Sequence, residues 1–148
     1  MRISSSAFDH RSAIPRRHSK EGDDVSPPLA WSGVPEGAKE LALVVDDPDA
    51  PRAEPFVHWV LHGLPAATSG LREGESGGGT EGRNDFGDVG WGGPMPPPGH
   101  GTHHYRFRLH ALSEPSGLGP AATKAELMAR IESITIARAE VVGTYERR

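Results

Sequence analysis

The chain contains no cysteine. That excludes disulfides, thiolate-held zinc, iron–sulfur clusters and thiol catalysis. It is neutral about compartment. No apolar run approaches the ~20 residues that carry a helix across a bilayer. Met1 to Ser6 lead into no apolar segment of the secretory type, so the expected location is the cytoplasm. Aromatic residues are scarce, at 6%, and the apolar share is only 35%. Positive charge is not in excess either. Sixteen Lys and Arg face twenty Asp and Glu, for a net charge of −4. Nucleic acid is therefore not an expected partner. What the chain has in abundance is glycine, 19, and proline, 14, in 148 residues. This is about twice ordinary usage. The two residues fall between apolar runs instead of forming one tract, which predicts a single loop-rich domain over residues 1–148.

Residues 1–25 are polar, and Arg16-Arg17-His18 reads as a solvated loop in preference to a phosphate patch. Ser26 to Trp31 is expected to be extended, because proline restricts the residue before it. Leu41 to Val45 is a short continuous apolar run, which suits a strand covered on both faces. It stops at Asp46-Asp47-Pro48-Asp49-Ala50-Pro51, where the prolines lack ladder donors. A second strand follows at Phe56 to His62. Period-two alternation puts Phe56, His58, Val60 and His62 on one face, and Val57, Trp59 and Leu61 on the other. No regular element is legible from Gly70 to Pro98. A loop of that length in a compact domain is functional or disordered. His103 to Leu112 is the clearest strand, with Tyr105, Phe107, Leu109 and Ala111 alternating with polar residues. Thr123 to Glu126 has the spacing of a capping box. It opens a helix expected from about Lys124 to about Ser133 that buries Leu127, Met128 and Ile131. Ile134 to Ile136 suits helix or strand, and Ala139 to Tyr145 alternates as a last strand. Several strands with one or two peripheral helices predict a mainly β, sandwich-like fold of antiparallel sheets.

The residues with chemical potential border these apolar runs. They are Asp47 and Asp49 at the end of one strand, His58 in the next, and His103 and Tyr105 where a Gly/Pro loop enters the third. Were those strands neighbours, the group would suit a small anion. Imidazolium donates two charged N–H bonds, carboxylates orient the rings, and glycines at 92–99 let backbone N–H groups approach an oxyanion. Each residue also has a plainer reading. Asp-Pro-Asp-Ala-Pro serves as a turn, His58 as a satisfied core histidine, and His103 and His104 as strand-edge surface. His10, His18, His62, His100 and His110 are read as surface or packing residues. Metal binding is not expected, because no His-x-x-x-His or His-Glu-x-x-His occurs. Acyl transfer and nucleotide binding lack their Gly-x-Ser-x-Gly, P-loop or Rossmann signatures.

The long motifs carry a resemblance. Asp47-Pro48-Asp49-Ala50-Pro51, His58-Trp59-Val60-Leu61 and Gly93-Pro94-Met95-Pro96-Pro97-Pro98-Gly99-His100-Gly101-Thr102-His103-His104-Tyr105 resemble signatures of the phosphatidylethanolamine-binding (Raf kinase inhibitor-like) protein family. The short bacterial branch is the nearer likeness, and it covers roughly residues 14–147. The resemblance implies a β-sandwich of a large and a small sheet with an anion pocket at one end. Asp47, Asp49, His58, His103 and Tyr105 would line that pocket. Pro51 and Pro97 would form walls, and the backbone near Met95 would face the ligand. His104 stands where members commonly carry arginine. The implied function is non-catalytic binding of a phosphate ester, a phosphoethanolamine-like headgroup or a small carboxylate, with no cofactor and no stable membrane insertion. A regulator that binds or inhibits a kinase or serine protease is the alternative, and an Asp/His hydrolase the least favoured. The shortness of the chain speaks against Raf-type inhibition. Bacterial members of this kind are often dimers, so a homodimer is in keeping with the resemblance.

Overall fold

The computed structural model describes residues 1–148. Nine strands and one helix follow in the order β1 (Arg2–Ser4), β2 (Ser12–Ala13), β3 (Leu29–Ser32), β4 (Glu40–Asp47), β5 (Phe56–Pro65), β6 (Gly70–Leu71), β7 (Thr80–Glu81), β8 (His103–Leu112), α1 (Lys124–Ile131) and β9 (Thr135–Tyr145). They form a three-stranded sheet, β1-β3-β6, and a six-stranded sheet, β2-β9-β8-β4-β5-β7. The stretch read as irregular holds β6 and β7, each two residues long. Elements that short leave no periodicity to read. The sheets are antiparallel except at β2, which runs parallel to the end of β9. There the N-terminal segment covers part of the edge of β9, a position that would otherwise expose unpaired backbone groups.

β4 is buried along its whole length, as its unbroken apolar run requires. One face of the large sheet packs on the small sheet. Leu41, Leu43, Val45, Trp59, Tyr105, Phe107 and Leu109 meet Ile3, Leu29, Trp31 and Leu71 there. The other face carries α1. Ala42, Val44, Val57, Val60 and Leu112 meet Leu127, Ile131 and Ile134, with Met128 at the margin of this cluster. The capping box at the start of α1 is present in both halves. The helix ends at Ile131, and β9 starts at Thr135, so Thr135 and Ile136 belong to the strand.

β5 departs from strict alternation. Val45 pairs with Trp59, but the next residue, Asp46, pairs with Val57, so His58 is an extra residue. This is a β-bulge. A second extra residue falls between Leu61 and Leu64, where Gly63 takes φ +67°, a conformation that costs glycine little. The first bulge reverses the facing of Phe56 and Val57. Val57 joins Val60 in the helix-side core, while Phe56 and His58 pack with Phe86, and His58 also meets Tyr105. The expected grouping of His58 with Val60 and His62 on one face is therefore corrected. His62 hydrogen-bonds to the Gly119 carbonyl on the helix side.

The last two residues of β4 separate across the sheet. Asp46 is buried on the helix side, where its carboxylate accepts from Arg106 Nε at 2.7 Å, Arg106 Nη2 at 3.0 Å and Lys124 Nζ at 2.7 Å. This joins β4, β8 and α1 through one charge. Burial works to raise the Asp46 pKa, but the hydrogen bonds and charges of Arg106 and Lys124 outweigh it and hold the carboxyl below its ordinary range. An Asp46→Asn variant should lose roughly 2–3 kcal/mol near neutral pH. That is less than the ~3–5 kcal/mol of a fully buried pair, since both cations also reach water. A depressed pKa contributes stability above the unfolded value, and that stability is lost as pH falls through the folded value. The gap between wild type and variant in denaturant titrations should thus be widest above about pH 4 and close at lower pH.

Candidate functional site

Asp47 points to the opposite side from Asp46, toward the end of the sandwich. Its Oδ1 accepts from the Asp49 backbone N–H at 2.8 Å, closing a tight turn, and its Oδ2 accepts from His103 Nδ1 at 2.6 Å. Both partners of this His–carboxylate pair are almost fully buried. His103 opens β8, and Tyr105 lies one step along on the same face. Tyr105 meets the His58 ring edge to face, with centroids 5.0 Å apart. The bulge in β5 is what turns His58 to this side.

The Gly/Pro loop closes the site from above. Gly92 N–H donates to the His58 carbonyl at 2.9 Å, and the Gly92 carbonyl accepts from His58 Nδ1 at 2.6 Å. The far side of the loop is held by the N-terminal segment. Gly93 N–H donates to Asp24, Lys20 N–H to the Pro94 carbonyl, and Trp91 Nε1 to the His18 carbonyl. The Arg16–His18 stretch, expected as a solvated loop, is a 3-10 turn with His18 buried. Arg16 and Arg17 are exposed as expected, and Arg17 pairs with Asp23 and Glu73. This clamp is invisible in a reading of local charge because its partners lie some seventy residues away.

These elements enclose a cavity of about 250 Å³. It is smaller than the ~300–1,000 Å³ of sites for drug-sized molecules. Of the eight residues singled out in the sequence, Asp47, Pro51, His58, Met95, Pro97, His103 and Tyr105 line it. Asp49 does not. Its Oδ2 accepts from the backbone N–H and Nδ1 of His104, at 2.8 and 2.7 Å, so it ties the Asp-Pro-Asp turn to the start of β8 from outside. Phe56, Phe86 and Arg52 complete the wall. Arg52 lies over the Phe56 ring and pairs with Asp85 at 3.2 Å. It directly follows the Asp-Pro-Asp-Ala-Pro motif, a signal that sequence reading passed over. His100 was also missed. Its Nδ1 lies 2.6 Å from His103 Nε2, which extends the pair into an Asp47–His103–His100 chain. Glycines 99 and 101, both at positive φ, let the loop fold back that far. No three His, Asp or Glu side chains are grouped so as to hold a metal ion.

Protonation follows from the partners. A carbonyl cannot donate, so His58 Nδ1 carries the proton, and a neutral ring leaves Nε2 as an acceptor. Burial pushes the His58 pKa below its ordinary value, only partly opposed by the Gly92 hydrogen bond and the Asp47 charge. The Tyr105 hydroxyl is buried with no hydrogen-bond partner. Burial first, then the charges of Asp47 and Asp49, raise its pKa, so it stays a donor at any physiological pH.

Loop placement depends on the missing side chain at Gly93, where a Cβ would run into the His18 carbonyl oxygen. Gly93→Ala should therefore cost roughly 1–3 kcal/mol, the range for forced overpacking. It should also shift the His58 ring resonances, as the Gly92 carbonyl moves. Denaturant titration and NMR of the variant check both.

A family model described as phosphatidylethanolamine-binding protein matches residues 4–146. A UPF0098 protein of Aquifex aeolicus is 41% identical, over 99% of this chain and 89% of its own. Among solved structures, a putative phosphatidylethanolamine-binding protein homolog of Chlamydia trachomatis, CT736, superposes with TM-score 0.93 at 36% identity, covering 99% of this chain and 97% of that one. YbcL of E. coli, described as a member of the mammalian PEBP family, gives TM-score 0.93 at 33% identity, covering 99% and 98%. The chain belongs to the phosphatidylethanolamine-binding protein family.

Proposed function

We propose that the chain binds a small phosphate-bearing anion in the Asp47/His58/His103/Tyr105 cavity and does no chemistry on it. The observation that carries this is the Tyr105 hydroxyl. It is a buried, permanently protonated donor in the cavity wall, and it has no acceptor within the protein. Leaving such a donor unmatched costs about 1–3 kcal/mol, which a ligand oxygen would recover. Arg52 at the wall adds a cation, and His58 offers an Nε2 donor once it takes up a proton, a set that suits an anion with several oxygens.

The non-catalytic part of the reading rests on how the polar groups are used. No Ser, Thr, Cys or Lys lines the cavity. Both carboxylate oxygens of Asp47 are engaged, as are both nitrogens of His103 and Nδ1 of His58. Asp49 is held outside by His104, so it is not placed to receive a ligand ammonium group. No helix is long and apolar enough to cross a membrane. The cavity volume of about 250 Å³ supports a headgroup-sized ligand.

Anion binding should draw a proton onto His58, whose ring is neutral in the free protein near pH 7. A ligand that favours the imidazolium raises that pKa, so affinity is lost as pH rises through the interval between the free and bound values. Sulfate, whose charge is constant over the range, should bind more tightly at about pH 5.5 than at about pH 8.5, with proton uptake visible as a buffer-dependent calorimetric enthalpy. Affinity independent of pH would remove His58 from the binding role. Calorimetry with phosphate and phosphoethanolamine at about pH 6 should give saturable binding. Tyr105→Phe should bind about tenfold more weakly while folding at least as stably as wild type, because it deletes an unmatched buried donor. His58→Ala combined with His103→Ala should abolish binding. No saturable heat from the wild type up to ~10 mM ligand would overturn the proposal.

A further inference from the structure

The opposite face of the large sheet carries a second cavity, of about 370 Å³, between α1 and the outward side chains of β8 and β9. It shares no lining residue with the Asp47 cavity. Its construction follows from strand register. Cross-strand pairing sets His110 opposite Arg138 and Arg108 opposite Glu140. Across the groove, α1 contributes Lys124 and Met128, and Val44 lies on β4 between them.

Charge in this groove is unbalanced. Arg108 pairs with Glu140 at 2.8 Å. Asp46 is already bound by two cations, Arg106 and Lys124. Arg138 has neither an ion-pair nor a hydrogen-bonding partner. Three cations, Arg108, Lys124 and Arg138, thus line the groove with two carboxylates, one of which is also held by Arg106 from outside the lining, in a chain whose net charge is −4. Surface cations facing water need no explanation by themselves. The independent observation is His110. It lines the groove, is only 3% exposed, and its Nδ1 has no hydrogen-bond partner. Burial, then the charges of Arg138 and Arg108, push its pKa down to about 4. Its ring is therefore a neutral polar group, buried beside an unpaired guanidinium. A bound anion would relieve both conditions. It would pair with Arg138, and it would offset the arginine charges that, after burial, keep the imidazole from taking a second proton. Val44, Met128 and Ala139 form the apolar part of the lining, so the occupant needs an apolar body as well as a charge.

We propose that this groove is a second ligand site, for a small organic monocarboxylate whose carboxylate pairs with Arg138 beside His110 and whose compact apolar body rests on Val44 and Met128.

Benzoate is a suitable probe, followed by site-resolved NMR on the full chain. Saturable shifts are expected at Val44, His110, Met128 and Ala139. The His110 ring titration should move upward by about one unit at saturating benzoate, set by the new carboxylate against Arg108, Arg138, Lys124, Asp46 and Glu140. Arg138 is exposed, so Arg138→Gln should fold as wild type and weaken groove binding about tenfold. Arg138→Lys should restore most of the affinity. Tyr105→Phe, which alters only the other cavity, should leave the groove shifts unchanged. Shifts confined to the Asp47–Tyr105 cavity up to ~10 mM benzoate would overturn the proposal. So would groove shifts that survive Arg138→Gln undiminished, or equal shifts with benzyl alcohol, which has the body without the charge.

Discussion

Successive side chains of a strand point to opposite faces, and at Asp46-Asp47 this rule places two adjacent carboxylates on opposite sides of one sheet. Each is buried, so each must be matched on its own side. Asp46 recruits Arg106 and Lys124, which fastens α1 and β8 to β4. Asp47 recruits His103, which fastens the start of β8 to the Asp-Pro-Asp turn. The two pairings hold the central strand against the helix on one side and shape a polar cavity on the other. Neither carboxylate can be moved without leaving two half-buried cations or a buried imidazole unmatched.

The cavity end also depends on a departure from regularity. A strictly alternating β5 would have sent His58 toward α1 with Val60 and His62. The extra residue at the bulge brings it instead against Tyr105, beneath the Gly92 carbonyl. Glycines 92 and 93 are what allow the loop to lie that close. A side chain at either would collide, with Phe86 in one case and the His18 carbonyl in the other. The result is a site whose rings have fixed tautomers and whose one unmatched donor is a phenol. Its response to an anion is consequently a matter of proton uptake as much as of contact.

β8 serves both faces. His103 and Tyr105 face the Asp47 cavity, while Arg106, Arg108 and His110 face the helix side. The two histidines show how differently one strand can treat the same side chain. His103 is matched at both nitrogens, by Asp47 and His100. His110 is buried among arginines with Nδ1 unmatched.

Local pattern by itself determined the strands at β4, β5 and β8 and the helix start at Thr123, because burial on one or both faces dictates the spacing of apolar residues. The quoted motifs, through their family likeness, also brought Asp47, His58, His103 and Tyr105 together on paper, and the structure gathers these four around one cavity. Tertiary structure decided the rest. β6 and β7 exist only through pairing with distant strands. The bulge at His58 reflects the fit of β5 to β4, which no single strand encodes. Asp49 turned to His104 instead of the cavity, because a backbone N–H and a ring nitrogen of β8 lay within reach. Arg52, His100 and the clamp from residues 16–24 became visible only when contacts far apart in the chain closed, since long-range pairing leaves no local periodicity to read.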